Sequence, residues 1–162
     1  MRPTATETAL LEKREWREWR EWREWQRNHP QRKLAKMTDL NALTKLEAAI
    51  NSHDANSIAA CFSADYVSET PHHPSRNFEG RATVLRNWTA ILSRFPNLTA
   101  RVLRRAINGD EVWSEWEMDG TAADGTSAGI VGPVIWRTDS NGLVSWARFY
   151  LEPATDEPIR PS

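Results

Sequence analysis

A single cysteine, Cys61, stands in the 162 residues, so no internal disulfide can form. It sits in an Ala59-Ala60-Cys61-Phe62 run that reads as a buried helix face, and a reducing compartment fits. No apolar run approaches the roughly 20 residues that a membrane span requires. The N-terminus also lacks the short apolar core of a secretory signal, so neither membrane insertion nor export is expected and a cytoplasmic location is. Clustered positive charge is missing where a nucleic-acid surface would need it. Residues 1–36 carry ten Lys and Arg against six Glu, but from Met37 onward eleven face sixteen Asp and Glu. Such an acidic body cannot neutralise phosphates, which excludes nucleic acid as an expected partner. What is present is 40% apolar residues, enough for one core of ordinary size.

The charge step coincides with a change of pattern. Residues 14–25 are four copies of Arg-Glu-Trp. On a helix a three-residue step advances about 300°, so Trp16, Trp19, Trp22 and Trp25 drift around the helix instead of forming one stripe. The extension 1–36 therefore reads as a low-complexity arm, disordered or marginally helical, with a tryptophan-mediated contact arm as the alternative. His29-Pro30-Gln31 reads as a break. Beyond it the spacing predicts a helix over 39–52, with Thr38 or Asp39 as its N-cap and Leu43, Leu46 and Ile50 on one face. A second helix over 55–63 begins at the cap Asp54. A strand near 65–70 ends at Pro71, and a third helix, 80–94, carries Val84, Trp88, Ile91 and Leu92 and stops before Pro96.

The last third is all strand. A run at 98–107 turns at Asn108-Gly109-Asp110. Three further runs, Val112 to Met118, Ile130 to Arg137 and Val144 to Leu151, are separated by Asp124-Gly125 and Asn141-Gly142, dipeptides that accept the positive φ of tight turns. They predict an antiparallel meander. Helices first and strands last give an α+β domain: a cone-shaped barrel of strongly curved, antiparallel-rich β-sheet covered by three N-terminal helices. Alternation then places Val112, Ser114, Trp116 and Met118 on the face toward the helices, with Trp113, Glu115 and Glu117 opposite. Gly132, Val134 and Trp136 join the inner set. For polar chemistry the candidates are Glu69, Thr70, His72 and His73, clustered at the strand end and the following loop. Either histidine could shuttle a proton, with Glu69 orienting it. No metal is expected, because two adjacent histidines cannot both reach one ion and no third ligand has the usual spacing. No cofactor is expected either. Tyr66 reads as a strand residue with a wet hydroxyl, and Arg148 as an ion-pair partner at an interface.

Over residues 37–153 the order of elements, with Asn51-Ser52-His53-Asp54-Ala55, Phe62-Ser63-Ala64-Asp65-Tyr66-Val67, Phe78-Glu79-Gly80-Arg81, Gly120-Thr121 and Asn141-Gly142-Leu143-Val144, resembles the SnoaL-like branch of the nuclear transport factor 2-like superfamily. None of these segments is a catalytic motif, and the superfamily spans isomerases, cyclases, hydrolases, dehydratases and non-enzymatic binders. The resemblance locates the acid and base positions of its ketosteroid isomerases. The base position falls on Thr70, beside Glu69; the oxyanion tyrosine falls on Leu46 and its aspartate partner on Val134. The supporting tyrosine positions hold Phe62 and Trp88. The inward Asp-Arg-Asp group of limonene epoxide hydrolases corresponds to Trp116, Met118 and Phe149. On the last strand the resemblance favours Ala147, Phe149 and Leu151 inward, leaving Val144, Trp146, Arg148 and Tyr150 outside. An outer patch of Trp113, Trp146 and Tyr150 then implies a homodimer through that sheet face. The expected pocket is lined by Leu46, Phe62, Thr70, Trp88, Ser114, Trp116, Met118, Val134, Trp136 and Phe149, and suits a small hydrophobic metabolite. Two functions fit it: a cofactor-free isomerase, cyclase or dehydratase using His73 or His72 with Glu69, or a non-catalytic ligand-binding or dimerisation module. Residues 154–162 read as a polar tail.

Overall fold

The computed structural model describes residues 30–154; the Arg-Glu-Trp repeat and the chain beyond Ala154 lie outside the described residues. The chain divides into two compact units, Met1–Met37 and Thr38–Ser162, and of the first the described part is the opening of a helix. The described elements run α1 (Pro30–Asn51), α2 (Ala55–Ala59), β1 (Phe62–Glu69), a 3-10 turn (Pro74–Arg76), β2 (Phe78–Glu79) and α3 (Arg81–Arg94). The strands β3 (Thr99–Asn108), β4 (Glu111–Thr121), β5 (Ser127–Thr138), β6 (Val144–Phe149) and β7 (Glu152–Pro153) complete the order. Among the described residues no helix is long and apolar enough to cross a membrane.

Helix α1 begins at Pro30, well ahead of the expected start at 39. Proline at a first helical position has no N–H to lose and a φ already set for the helix, so it opens α1 where it was expected to break the chain. Asp39 is consequently no cap. It is buried, and its carboxylate accepts the Thr138 hydroxyl, which joins α1 to β5. Asp54 does cap α2, accepting from Asn56 N at 3.0 Å and from the Ser57 hydroxyl at 2.6 Å. That helix ends at Ala59, short of the expected 63, because the Cys61 carbonyl already accepts Val144 N at 2.9 Å. The chain there has been drawn into the sheet.

The sheet is open and mixed, in the order β2-β1-β6-β5-β4-β3, with β7 pairing separately with β5. The antiparallel meander over β3 to β6 is present, with its turns at Gly109, Gly125 and Gly142 (φ +66°, +83° and +75°). The β1–β6 pair is parallel, which no local signal announced. Edge strand β3 is shielded by α1: Asn51 donates to Ala100 O and accepts from Ala100 N, both at 2.8 Å, and Glu47 accepts from Val102 N at 2.9 Å. Unpaired edge groups that would otherwise template a foreign strand are thereby satisfied.

Alternation holds along β4, where Val112, Ser114, Trp116 and Met118 are buried and Trp113 is 44% exposed. It fails at the start of β6. Arg137 pairs with Trp146 but Thr138 pairs with Val144, so Ser145 is an extra residue and Val144 turns inward, 1% exposed, where the outer face was expected. The expected run to Leu151 also breaks after Phe149. Tyr150 N still donates to Pro133 O at 3.0 Å, but the chain then shifts to pair Glu152 and Pro153 with Val131 and Ile130. The crossing is made over Gly132, where φ is +149° and an added Cβ would lie 2.4 Å from Tyr150 O. Backbone cannot withdraw as a side chain could. Gly132→Ala is therefore expected to cost at least about 2 kcal/mol in denaturant unfolding. Gly109→Ala, in open space, should cost only about 1 kcal/mol; equal losses would remove the crossing argument.

Candidate functional site

Helices α1 and α3 cover the inner face of the sheet, and a cavity of about 800 Å³ remains between them. Its floor is apolar. Phe62, Trp116, Val134, Trp136, Val144 and Ala147 all border it and all are buried. Leu46, Thr70, Trp88, Met118 and Phe149 also border it. The rim is mixed: Ser75, Arg76, Asn77 and Asn87 are exposed and face the same cavity, beside the exposed Ala90 and Ile91. Among the lining residues Arg76 alone is charged, and no Asp, Glu, His, Lys, Cys or Tyr among the described residues contributes to the wall.

Ser114 is the exception among the ten expected lining residues. Its hydroxyl lies behind the wall, donating to Val134 O at 3.1 Å and accepting from Trp116 Nε1 at 2.9 Å and Trp136 Nε1 at 3.1 Å. A hydroxyl has one hydrogen and two lone pairs, and all three are used. The two indoles can thus lie in an apolar wall without an orphaned N–H. Cross-strand geometry leaves room for them, since Trp116 stands opposite Gly132 and Trp136 opposite Val112.

The expected proton-transfer group is not assembled. His72 and His73 do not border the cavity; their Nδ1 and Nε2 atoms lie 3.2 and 3.4 Å from Glu152 Oε1, with side chains 56% and 38% exposed. Glu69 orients neither histidine. It accepts from Arg148 Nη2 at 2.7 Å and Nε at 2.9 Å. Arg148 is therefore an intramolecular partner. The Trp146 indole and then the Arg148 guanidinium hold the Glu69 carboxyl below its ordinary value. Tyr66 is 1% exposed instead of wet, packed edge-on against Phe62 and Phe78 at 4.7 and 5.9 Å, and burial pushes its phenol ionisation up. Among the described residues no group of three His, Cys, Asp or Glu could hold a metal ion.

On the outer sheet face, charge covers much of the aromatic patch. Arg137 and Arg148 lie 4.8 and 5.7 Å from the Trp146 ring, and Tyr150 packs edge-on against His72. Arg101–Glu117, Arg104–Glu115 and Arg137–Glu111 pairs run across the strands beside them. Trp113 stays open.

Several contributors to the cavity escaped the sequence reading. Ile50 shares the Leu43 and Leu46 helical stripe and could have been found by it. Ser68 lies two residues before Thr70 on the same strand face. Ser75, Arg76 and Asn77 come from a loop without periodicity and left no signal.

Open mixed sheet, covering helices and the cavity between them together define a nuclear transport factor 2-like cone fold. The chain belongs to the SnoaL-like domain family, whose profile matches residues 43–147. A Mycobacterium tuberculosis protein solved with estradiol-17β-hemisuccinate is similar at TM-score 0.61 and 18% identity, over 70% of this chain and 92% of that one. An LEH-like epoxide hydrolase of M. tuberculosis is similar at TM-score 0.62 and 15% identity, over 72% and 84%. A Catenulispora acidiphila protein with a ketosteroid isomerase-like fold, solved with trimethylamine, is similar at TM-score 0.59 and 18% identity, over 67% and 84%. No curated protein sequence matches. At these identities the likenesses concern the fold.

Replacing Ser114 by Ala strands two buried indole N–H groups. Ser114→Ala should cost about 2–6 kcal/mol in denaturant unfolding, at about 1–3 kcal/mol for each of the two stranded donors; a loss below about 1 kcal/mol would show that the indoles find other partners. Glu69 gives a pH dependence. Because its native carboxyl releases its proton more readily than in the unfolded chain, its contribution is complete above the ordinary glutamate value of about 4.3 and disappears as pH falls through the lower native value. Wild-type stability should therefore fall more steeply than that of Glu69→Gln on acidification below about pH 4. Parallel curves would show that the Glu69 contacts contribute nothing.

Proposed function

We propose that this domain binds a hydrophobic small molecule and leaves it chemically unchanged. The observation that carries this reading is the absence, among the described residues, of any carboxylate, imidazole, thiol, amine or phenol in the cavity wall. A proton cannot be taken from a ligand by a group that does not reach it. Positions that carry acids and a base in the enzymes the sequence resembles hold Leu46, Thr70, Val134, Trp116, Met118 and Phe149, and all border the cavity. Volume supports the same reading, since about 800 Å³ lies within the range of small-molecule pockets. That a protein of this fold was solved with a steroid hemisuccinate is in keeping with a ligand of several fused rings.

The tryptophans of the wall supply the test. Titrating the full chain with neutral 1-pyrenebutanol should quench tryptophan emission saturably. His73→Ala and Glu69→Ala should leave that binding unchanged, whereas Trp88→Ala should weaken it about tenfold, as loss of a large buried contact does. A folded chain that shows no saturable binding would overturn the reading. Conversion of a polycyclic ligand that is lost in His73→Ala would replace it with the enzymatic one.

A further inference from the structure

The segregation of polarity in the cavity says more about the ligand than its size does. Every buried lining side chain except Ser68 is apolar, whereas the exposed lining holds Ser75, Arg76, Asn77 and Asn87 besides Ala90 and Ile91. Arg76 sits on a turn that is folded on itself. Arg76 N donates to His73 O at 2.9 Å and Asn77 N to Pro74 O at 3.1 Å, while Asn77 Oδ1 accepts from Thr70 N at 2.7 Å. With its oxygen engaged, the Asn77 amide has its NH2 group left to offer the cavity. Among the described residues Arg76 has no ion-pair partner. Of the carboxylates on the segments flanking this loop, Glu69 is engaged by Arg148 and Glu152 by His72 and His73, and Glu79, on β2, makes no ion pair with Arg76.

An apolar floor with a lone guanidinium at its rim matches one kind of molecule. We propose that the cavity takes amphipathic carboxylic acids, with a ring-containing apolar body against Trp116 and Trp136 and one carboxylate against Arg76. The proposal rests on the reading of the cavity as a ligand site and adds the ligand's charge. A guanidinium presents a planar fork that fits a carboxylate through two parallel hydrogen bonds, and Asn77 lies next to it in the turn as a further donor. A second charge on the ligand body would find no partner on the floor to offset its loss of water, so a single terminal anion is selected.

The full chain is titrated with 1-pyrenebutyrate and 1-pyrenebutanol, which share one apolar body and differ in the terminal charge, by energy transfer from tryptophan. The acid is expected to bind about tenfold more tightly than the alcohol, a modest ratio because Arg76 is exposed to solvent. Arg76→Met should bring the ratio close to one, and Arg76→Lys should keep part of it. Arg104→Met, which removes the same charge outside the cavity wall, should keep it all. Equal affinities in the wild type, or a preference that survives Arg76→Met, would overturn the proposal while leaving the ligand site intact. Failure of both probes to bind the folded chain would overturn the ligand site with it.

Discussion

One hydroxyl allows this cavity to be apolar. Lining a pocket with tryptophan brings large contact area, but each indole carries an N–H that must find an acceptor once water is excluded. Ser114 supplies that acceptor twice and discharges its own hydrogen on Val134 O. It can do so because of where the register puts it. Trp116 is two residues along the same strand, and Trp136 lies diagonally across the β4–β5 ladder, the two indoles flanking a small side chain. Gly132 opposite Trp116 keeps the neighbouring strand from crowding the ring. The wall of the cavity, the register of β4 against β5 and the crossing of β6 into β7 over Gly132 are thus parts of one solution.

Charge is arranged around that solution rather than within it. Arginine–carboxylate pairs run across the outer sheet face, where each contributes little individually, and Arg137 and Arg148 keep Trp146 covered. The histidines and Glu152 sit outside the cavity, His72 exposed and His73 and Glu152 half-buried. A catalytic acid or base is usually recognisable as a titratable group whose surroundings disturb its ionisation inside a cleft. The groups whose ionisation is clearly displaced here have structural causes. Asp54 caps a helix, Asp124 accepts from Thr126 in a turn, Glu69 and Arg148 hold each other, Arg101 pairs with Glu117, Glu152 accepts from His72, and Tyr66 and Cys61 are displaced by burial.

What the sequence disclosed follows from how continuous each element is. Along β4 every residue from Val112 to Thr121 has a partner on β5 without a shift, so period-two reasoning sorts its faces correctly. Along β6 the extra residue at Ser145 inverts Val144, and no composition marks a bulge of that kind. The glycine turns were legible because positive φ leaves a chemical signature. Pro30 was misread because proline breaks a helix interior but suits its first position, and the sequence does not say which it occupies. The polar mouth was harder still. Adjacent histidines after a strand suggest chemistry, yet their direction is set by Glu152, a residue far along the chain that no local pattern connects to them. Arg76 lay in the same loop with no periodicity to mark it.

The fold itself explains why so apolar a lining can occupy positions that hold acids in the enzymes it resembles. Leu46, Thr70, Val134, Trp116, Met118 and Phe149 still point at the cavity, so backbone geometry does not depend on those groups being charged. Burying a carboxylate there would cost several kcal/mol unless partners were built around it, which an active site must supply and a binding site need not. A chain that holds the uncharged Thr70 and five apolar side chains there escapes that cost. Contact area is then what the floor offers, and the polar side chains of the lining lie mostly outward, on the loop that carries Ser75, Arg76 and Asn77.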